Sequence, residues 1–125
     1  MIKGIGIDVV DNSRIKFLHE KYDDSFAKKI LSPQELVEYS DTQSKINYLA
    51  KHFASKEAFS KAIGTGLFRQ GVYPSMISVS HDKLGKPVFV LDVSLSKIMT
   101  KRNITSSNLS ISDIDSITTA MVILE

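Results

Sequence analysis

The sequence predicts one α+β domain spanning residues 1–125, with a long central helix packed on a mainly antiparallel sheet. Three observations support this fold class. An apolar, β-branched run opens the chain, a long helical pattern occupies its middle, and short alternating runs fill its second half. The length is that of a single small domain, and we find no linker, internal repeat or low-complexity tract that would divide it.

The first predicted element is a buried strand over residues 2–10. Gly4 and Gly6 interrupt its apolar run, and glycine inside a strand often marks a place where another backbone comes close. A helix is expected to begin near Arg14, capped by one of the three polar residues at positions 11–13. The chain therefore passes from strand to helix without a long loop.

Two further helices are predicted in the first half of the chain. The sequence Ser-Pro-Gln-Glu at positions 32–35 combines the spacing of a capping box with a proline in the first helical turn. Residues 44–63 place apolar side chains at helical period over five turns, and Gly64 stands where a helix commonly ends. This longest helix is expected to form the centre of the domain.

The second half of the chain alternates apolar and polar residues, as strands with one buried face do. Two hairpins and one short helix are predicted there. The ranges are 77–90 for the first hairpin with its turn at 82–86, 95–102 for the helix, and 109–124 for the second hairpin with its turn at 113–116.

The composition excludes several classes of protein. Apolar residues make up 42% of the chain and charged residues 24%, which argues against disordered and fibrous proteins. The net charge of +2 is too small for a dedicated nucleic-acid-binding protein. There is no cysteine, so disulfides and thiolate sites are excluded. Because the first apolar run is also too short for a signal peptide or a membrane span, we expect a cytoplasmic protein without membrane partners.

Two acidic residues could carry chemistry. Asp8 interrupts a strand that is otherwise apolar, and an ionised carboxylate there needs a cation, hydrogen-bond donors or an exposed strand end. Glu57, Lys61 and Gly64 are spaced at i, i+4 and i+7, so they share one face of the long helix. The alternatives are an aspartate that caps a turn and an ordinary surface ion pair.

A diphosphate site would use these residue types together. Two carboxylates from different elements suit Mg²⁺, which prefers oxygen ligands and takes further ones from phosphates and water. A neighbouring lysine would neutralise phosphate charge. The turn at Gly64-Thr65-Gly66 could bring backbone amides to a phosphate, although such a turn more often only ends a helix.

Two longer strings carry a resemblance to a known family. Residues 4–10 read Gly-Ile-Gly-Ile-Asp-Val-Val and are followed by Arg14-Ile15, and residues 53–66 read Phe-Ala-Ser-Lys-Glu-Ala-Phe-Ser-Lys-Ala-Ile-Gly-Thr-Gly. Both resemble signatures of the holo-acyl-carrier-protein synthase family of phosphopantetheinyl transferases. Looser similarity includes Gly-Lys-Pro at residues 85–87 and Leu-Ser-Ile-Ser at residues 109–112.

The resemblance implies an enzyme of fatty acid biosynthesis. Such enzymes move the 4'-phosphopantetheine arm of coenzyme A to a serine of apo-acyl-carrier protein and release adenosine 3',5'-bisphosphate. They form homotrimers with coenzyme A between subunits. By this resemblance, Asp8 and Glu57 hold Mg²⁺, Lys61 contacts phosphate, and Glu57 or a metal-bound water accepts the serine proton.

Further residues are assigned to coenzyme A and to the carrier protein by the same resemblance. The expected coenzyme A residues are His52, Gly64, Thr65, Lys86, Pro87 and Asn108. Arg14 and Lys21 are expected to bind the acidic carrier, with Lys16, Lys28 and Lys29 as weaker candidates. Lysines interleaved with acidic residues also fit a plain solvated helix face.

Three positions depart from the family pattern and leave other functions open. The family has an arginine where this chain has His52, and it often has histidines where this chain has Asn108 and Asp113. Lys51 or a protonated His52 could take the place of the arginine, but neither has the planar guanidinium group that binds a phosphate through two parallel hydrogen bonds. A different magnesium-dependent phosphotransferase or hydrolase, or a member that binds its ligands without turnover, therefore remains an alternative.

Overall fold

The computed structural model describes residues 1–125 and contains five α-helices and five strands. In chain order these are β1 (Gly4–Asp11), α1 (Asn12–Tyr22), α2 (Asp24–Ile30), α3 (Pro33–Asp41), α4 (Lys45–Ile63), β2 (Ile77–His81), β3 (Pro87–Leu91), α5 (Val93–Lys101), β4 (Ser107–Ile114) and β5 (Ile117–Leu124). A 3₁₀ turn at Pro74–Met76 precedes β2. The predicted α+β class is confirmed.

Both sheets are antiparallel. One has three strands in the order β1-β5-β4, and the other is the β2–β3 hairpin. The predicted turn between β4 and β5 shortens to Asp115 and Ser116, because β4 continues to Ile114. The three-stranded sheet brings the first strand of the chain against the last, so the two ends of the sequence meet.

The long helix α4 packs directly on β1. A Cβ atom added to Gly4 would lie 1.9 Å from the carbonyl oxygen of Ala62, and one added to Gly6 would lie 1.8 Å from that of Ala58. No side chain fits in such a space, so glycine is required at both positions of β1 for α4 to pack this closely. The close backbone approach predicted from the two glycines is found here.

The two faces of β1 differ in character. Gly4, Gly6 and Asp8 alternate with Ile5, Ile7 and Val9, so the two sets point to opposite sides of the sheet. The glycine face is covered by α4. Ile5, Ile7 and Val9 are 58–62% exposed, which leaves an apolar strip on the other face.

Hydrogen bonds fix the helix starts that were predicted. Asp11 caps α1 by accepting from the backbone N–H of Ser13 at 2.9 Å. Ser32 and Glu35 form the complete capping box at the start of α3. Gly64 ends α4 in the left-handed conformation, with φ of 87°.

Helix α2 was not predicted. It has only seven residues and begins directly after Asp23, whose φ of 50° turns the chain between α1 and α2. Aspartate tolerates this left-handed conformation better than most residues, but the sequence gives no glycine or proline to mark the break. The predicted first helix corresponds to α1 alone, and no element was predicted for residues 24–30.

Candidate active site

The three residues predicted to act on the diphosphate converge at one cleft. Lys61 Nζ donates to Asp8 Oδ1 at 2.9 Å and to the carbonyl oxygen of Ile7 at 3.0 Å. Asp8 and Glu57 line the same cleft, together with Arg14. The strand acid and the helix acid thus face each other because β1 and α4 pack at backbone distance.

The electrostatics of the cleft favour a bound cation. Burial raises the pKa of Glu57, and the negative charge of Asp8 raises it further, while Lys61 and Arg14 act in the opposite direction. Asp8 and Glu57 therefore repel each other in a site where burial already disfavours the ionised form of Glu57. A divalent ion between them would relieve this repulsion.

The donor set fits Mg²⁺. The chain has no cluster of three or more His, Cys, Asp and Glu residues placed to hold a metal. A site with two carboxylates leaves the remaining positions to phosphate oxygens and water, which is how Mg²⁺ commonly binds at phosphoryl-transfer sites. Asp8 and Glu57 are the residues that would hold it.

The turn after α4 does not offer free amides. The N–H groups of Gly64, Thr65 and Gly66 all point to the carbonyl oxygen of Ser60, at 3.0, 3.1 and 3.3 Å. The turn is also at the negative end of the helix dipole, where an anion is disfavoured. These amides are thus engaged within the chain, and the binding of coenzyme A by Gly64 and Thr65 stays a prediction.

A second cleft gathers other residues that were expected to bind coenzyme A. Lys86 and Pro87, at the start of β3, meet Asn108 of β4 there, and Met121 and Ile123 of β5 complete the wall. This cleft shares no lining residue with the Asp8–Glu57 cleft. Within one chain, Lys86, Pro87 and Asn108 therefore lie apart from Asp8 and Glu57.

His52 lies apart from both clefts. Its ring is 5% exposed and stacks on Tyr48, and Nδ1 is 2.7 Å from the Tyr48 carbonyl oxygen. Burial lowers the pKa of His52, although the neighbouring carboxylate of Glu35 opposes this. The structure therefore does not support His52 as a charged, accessible substitute for the family arginine.

An apolar groove, unrecognised in the sequence, adjoins the Asp8–Glu57 cleft. The two share Leu18 of α1 and Phe53 of α4. The groove is lined by Leu18, Tyr22, Ser25, Phe26, Lys29, Ile30, Phe53 and Phe68. It could not be predicted because α2, which supplies four of these residues, was not recognised.

Basic residues surround the groove and the cleft. Lys29 lies over the ring of Phe68 at 5.5 Å from its centroid, and Lys21 lies over the rings of Phe17 and Tyr22. Arg14 reaches the acidic cleft itself. The expected carrier residues Arg14 and Lys21 are thus both on α1, beside the groove.

A buried ion pair between Glu35 and Lys56 was not predicted from the sequence. Lys56 is fully buried and Glu35 is 2% exposed. Lys56 falls in the apolar register of α4, between Leu49 and Ile63 at helical spacing, and a lysine at such a position is the signal that could have identified it.

None of the helices combines the length and the hydropathy that crossing a bilayer requires.

Comparisons with known proteins agree with the geometry. The model of the 4'-phosphopantetheinyl transferase superfamily matches residues 4–115. A holo-[acyl-carrier-protein] synthase of Neisseria meningitidis is 45% identical over all 125 residues and 99% of its own length, and one of Nitrosospira multiformis is 46% identical over the same spans.

Solved structures show the same fold. The crystal structure of the holo-[acyl-carrier-protein] synthase from Neisseria meningitidis superposes with a TM-score of 0.96 at 45% identity, covering 100% of this chain and 99% of that one. That of the Helicobacter pylori enzyme in complex with coenzyme A gives 0.81 at 32% identity, covering 97% and 99%. The chain therefore belongs to the holo-[acyl-carrier-protein] synthase family of the 4'-phosphopantetheinyl transferase superfamily.

Proposed function

We propose that this protein transfers the 4'-phosphopantetheine arm of coenzyme A to a serine of apo-acyl-carrier protein, with Mg²⁺ as cofactor, in fatty acid biosynthesis. The observation that carries the proposal is the convergence of Asp8, Glu57 and Lys61 at one cleft in a member of this family. We place the protein in the cytoplasm, in keeping with a chain that has no cysteine.

The reaction is a phosphoryl transfer in which positioning and electrostatics do most of the work. A bond forms between the serine Oγ and the phosphorus that bears the pantetheine arm, and adenosine 3',5'-bisphosphate leaves. Held by Asp8 and Glu57, Mg²⁺ would neutralise diphosphate charge and stabilise the charge that develops. Glu57 is a candidate acceptor of the serine proton, because its carboxylate lines the cleft in which the serine would react.

Lys61 holds Asp8 in place and supplies positive charge for a phosphate. Its ammonium bonds Asp8 and the backbone of β1, while its side chain is still half exposed. A lysine ammonium has three N–H donors, so one remains for a phosphate oxygen. This arrangement fixes the charge before the substrate arrives.

The carrier protein is proposed to dock on the groove between α1, α2 and the 64–73 loop. The groove opens beside the acidic cleft through Leu18 and Phe53, so a serine presented from it is close to Glu57. Lys21 and Lys29 at its edge suit an acidic partner. Apolar side chains of the partner would fill the groove itself.

Coenzyme A is proposed to bind between subunits of a homotrimer. The cleft at Lys86, Pro87 and Asn108 is separate from the Asp8–Glu57 cleft in one chain, so a site between subunits would unite them. The apolar strip of Ile5, Ile7 and Val9 continues across β5 through their partners Ile123 and Met121. An exposed apolar face of this kind marks an interface between proteins.

The function is tested by intact-mass measurement of an apo-acyl-carrier protein incubated with this protein, coenzyme A and Mg²⁺. We expect the carrier to gain the mass of one phosphopantetheine group and EDTA to prevent the gain. A carrier whose acceptor serine is replaced by alanine is the control. Cleavage of coenzyme A without a carrier would favour the other phosphotransferase or hydrolase, and binding without mass gain would favour a non-catalytic member.

Replacing Ile7 by glutamate is expected to convert a trimer into single chains and to abolish transfer. A charge in the exposed apolar strip would be desolvated at the interface without a partner. Light scattering coupled to size-exclusion chromatography measures the mass. Val37→Glu is the matched control, since Val37 is an equally exposed apolar residue on α3, outside the strip. A wild-type protein that elutes as a single chain would contradict the trimer.

A further inference from the structure

Lys56 carries a charge into the interior of the protein. It lies in α4 with no exposed surface. Its Nζ donates to Glu35 Oε1, to the carbonyl oxygen of Ile30 at 2.7 Å and to that of Pro74 at 3.1 Å. Each of the three ammonium donors therefore has an acceptor, which is the condition for an ion pair to be tolerated in a core.

Glu35 is equally well satisfied on its side of the pair. Its Oε1 also accepts from the backbone N–H of Ser32 at 2.9 Å, and its Oε2 accepts from that of Val79 at 2.8 Å. The carboxylate thus joins the first turn of α3 to β2. Together, Glu35 and Lys56 connect α4 to the end of α2, the start of α3, the 3₁₀ turn and β2.

The segments tied to Lys56 carry the walls of the apolar groove. Ile30 ends α2 and lines the groove itself, beside Phe26 and Lys29 of the same helix. Pro74 ends the loop on which Phe68, another wall residue, is found. Phe53, which separates the groove from the acidic cleft, lies about one turn before Lys56 on α4.

Stability alone does not account for this pair. Replacing a fully buried ion pair by apolar side chains of similar volume is often neutral or stabilising, because desolvation offsets the attraction between the charges. An apolar residue at position 56 would fit the register of the helix. What the ammonium adds is three directed bonds of fixed length to three segments.

We propose that Lys56 and Glu35 are positioning residues for carrier recognition, which hold α2 and the 64–73 loop at a set distance from Phe53 and the acidic cleft. This inference rests on the proposed function, in which the groove receives the carrier. Neither residue touches a substrate. Their effect is on the shape of the groove and hence on the affinity for the carrier.

The test compares the double variant Glu35→Gln/Lys56→Met with the wild-type protein. Both are used in the oligomeric state in which they are purified. The pair of substitutions keeps the volume of both side chains and removes both charges. Lys97→Met is the matched control, because it makes the same lysine-to-methionine change at an exposed position of α5, a helix that lines neither the groove nor the two clefts. Steady-state rates are measured with apo-carrier and coenzyme A varied separately, after circular dichroism has established that each variant is folded.

We expect KM for the carrier to rise about tenfold or more in the double variant, since small displacements of a binding wall have effects of this size. KM for coenzyme A is expected to change by less than about twofold, and Lys97→Met to behave as the wild type. A lower active fraction would reduce kcat and leave both KM values unchanged. That result, or an equal rise in both KM values, would overturn the positioning role.

Two further measurements keep the outcome decisive. If the double variant does not fold, Glu35→Asp alone is judged by the same criteria, with a smaller rise in KM expected because the pair stays charged and Lys56 keeps its bonds to Ile30 and Pro74. Hydrogen exchange is measured independently of activity. In the double variant, we expect faster exchange confined to residues 24–30 and 64–74. Unchanged exchange in these residues would refute the positioning role, whether or not the wild-type protein transfers phosphopantetheine. Absence of transfer by the wild-type protein would contradict the proposed function instead.

Discussion

Asp8→Asn and Glu57→Gln are each expected to lower the rate of phosphopantetheine transfer about a thousandfold or more, because loss of a metal ligand forfeits several kcal/mol of transition-state stabilisation. Both substitutions keep the size of the side chain and remove its charge. The rate is measured as the increase in mass of the carrier with time, at saturating Mg²⁺ and coenzyme A.

The fold is expected to survive both changes, for different reasons. Asp8 loses an ion pair with Lys61, whose side chain is half exposed, so the loss of stability is expected to be about 1 kcal/mol or less. Glu57 is a carboxylate whose charged form is disfavoured by burial and by Asp8. Removing its charge is therefore expected to raise the melting temperature, and this opposite change in stability and activity identifies a residue kept for function.

Asp41→Asn is the matched control for both variants. Asp41 is an exposed carboxylate at the end of α3 and is not part of the acidic cleft. Its replacement is expected to leave both transfer and melting temperature unchanged. Normal turnover in Asp8→Asn or Glu57→Gln, or an unfolded protein in both, would remove the basis for the metal site.

Gly6→Ala is expected to destabilise the protein by about 3 kcal/mol or more, since overpacking of a rigid contact is among the larger effects of a single substitution. The new Cβ would lie 1.8 Å from the Ala58 oxygen and 2.7 Å from the Ala62 nitrogen. Both are backbone atoms of a helix, so neither can move without displacing α4 from the sheet. Urea denaturation followed by circular dichroism measures the free energy of unfolding.

Gly71→Ala separates packing from backbone strain. Gly71 has a φ of 79° and no atom within 4 Å of the added Cβ, so only the unfavourable backbone conformation contributes. That contribution is about 1 kcal/mol for a residue in the left-handed region. Equal losses of stability in Gly6→Ala and Gly71→Ala would show that β1 and α4 are less closely packed than in this structure.

The main elements were predictable because their signals are local. The capping box at Ser32 and Glu35, the helical period of residues 44–63 and the two glycines of β1 all act within a few neighbours in sequence. From residue type alone, Asp8 and Glu57 were candidates beside plain structural alternatives, and the resemblance of two longer strings to a known family paired them as metal ligands. In the fold both residues line one cleft.

The remaining features depend on contacts between distant residues. Glu35 and Lys56 are 21 positions apart, and the residues around one do not predict the other as its partner. Helix α2 begins directly after Asp23, which has a positive φ, so no glycine or proline in the sequence marks the break between α1 and α2. His52 was expected at a phosphate because of its neighbours in sequence, but the rotation of α4 turns it toward Glu35 instead.

Three consecutive residues of α4 serve three different purposes, which limits where the protein can be redesigned. Lys56 is bound inside the core, Glu57 lines the acidic cleft, and the backbone of Ala58 lies against Gly6 of β1. Libraries that aim at a new carrier specificity should therefore spare this stretch. Diversity belongs in α2 and the loop that follows α4, where the same groove can be reshaped without dismantling the chemistry.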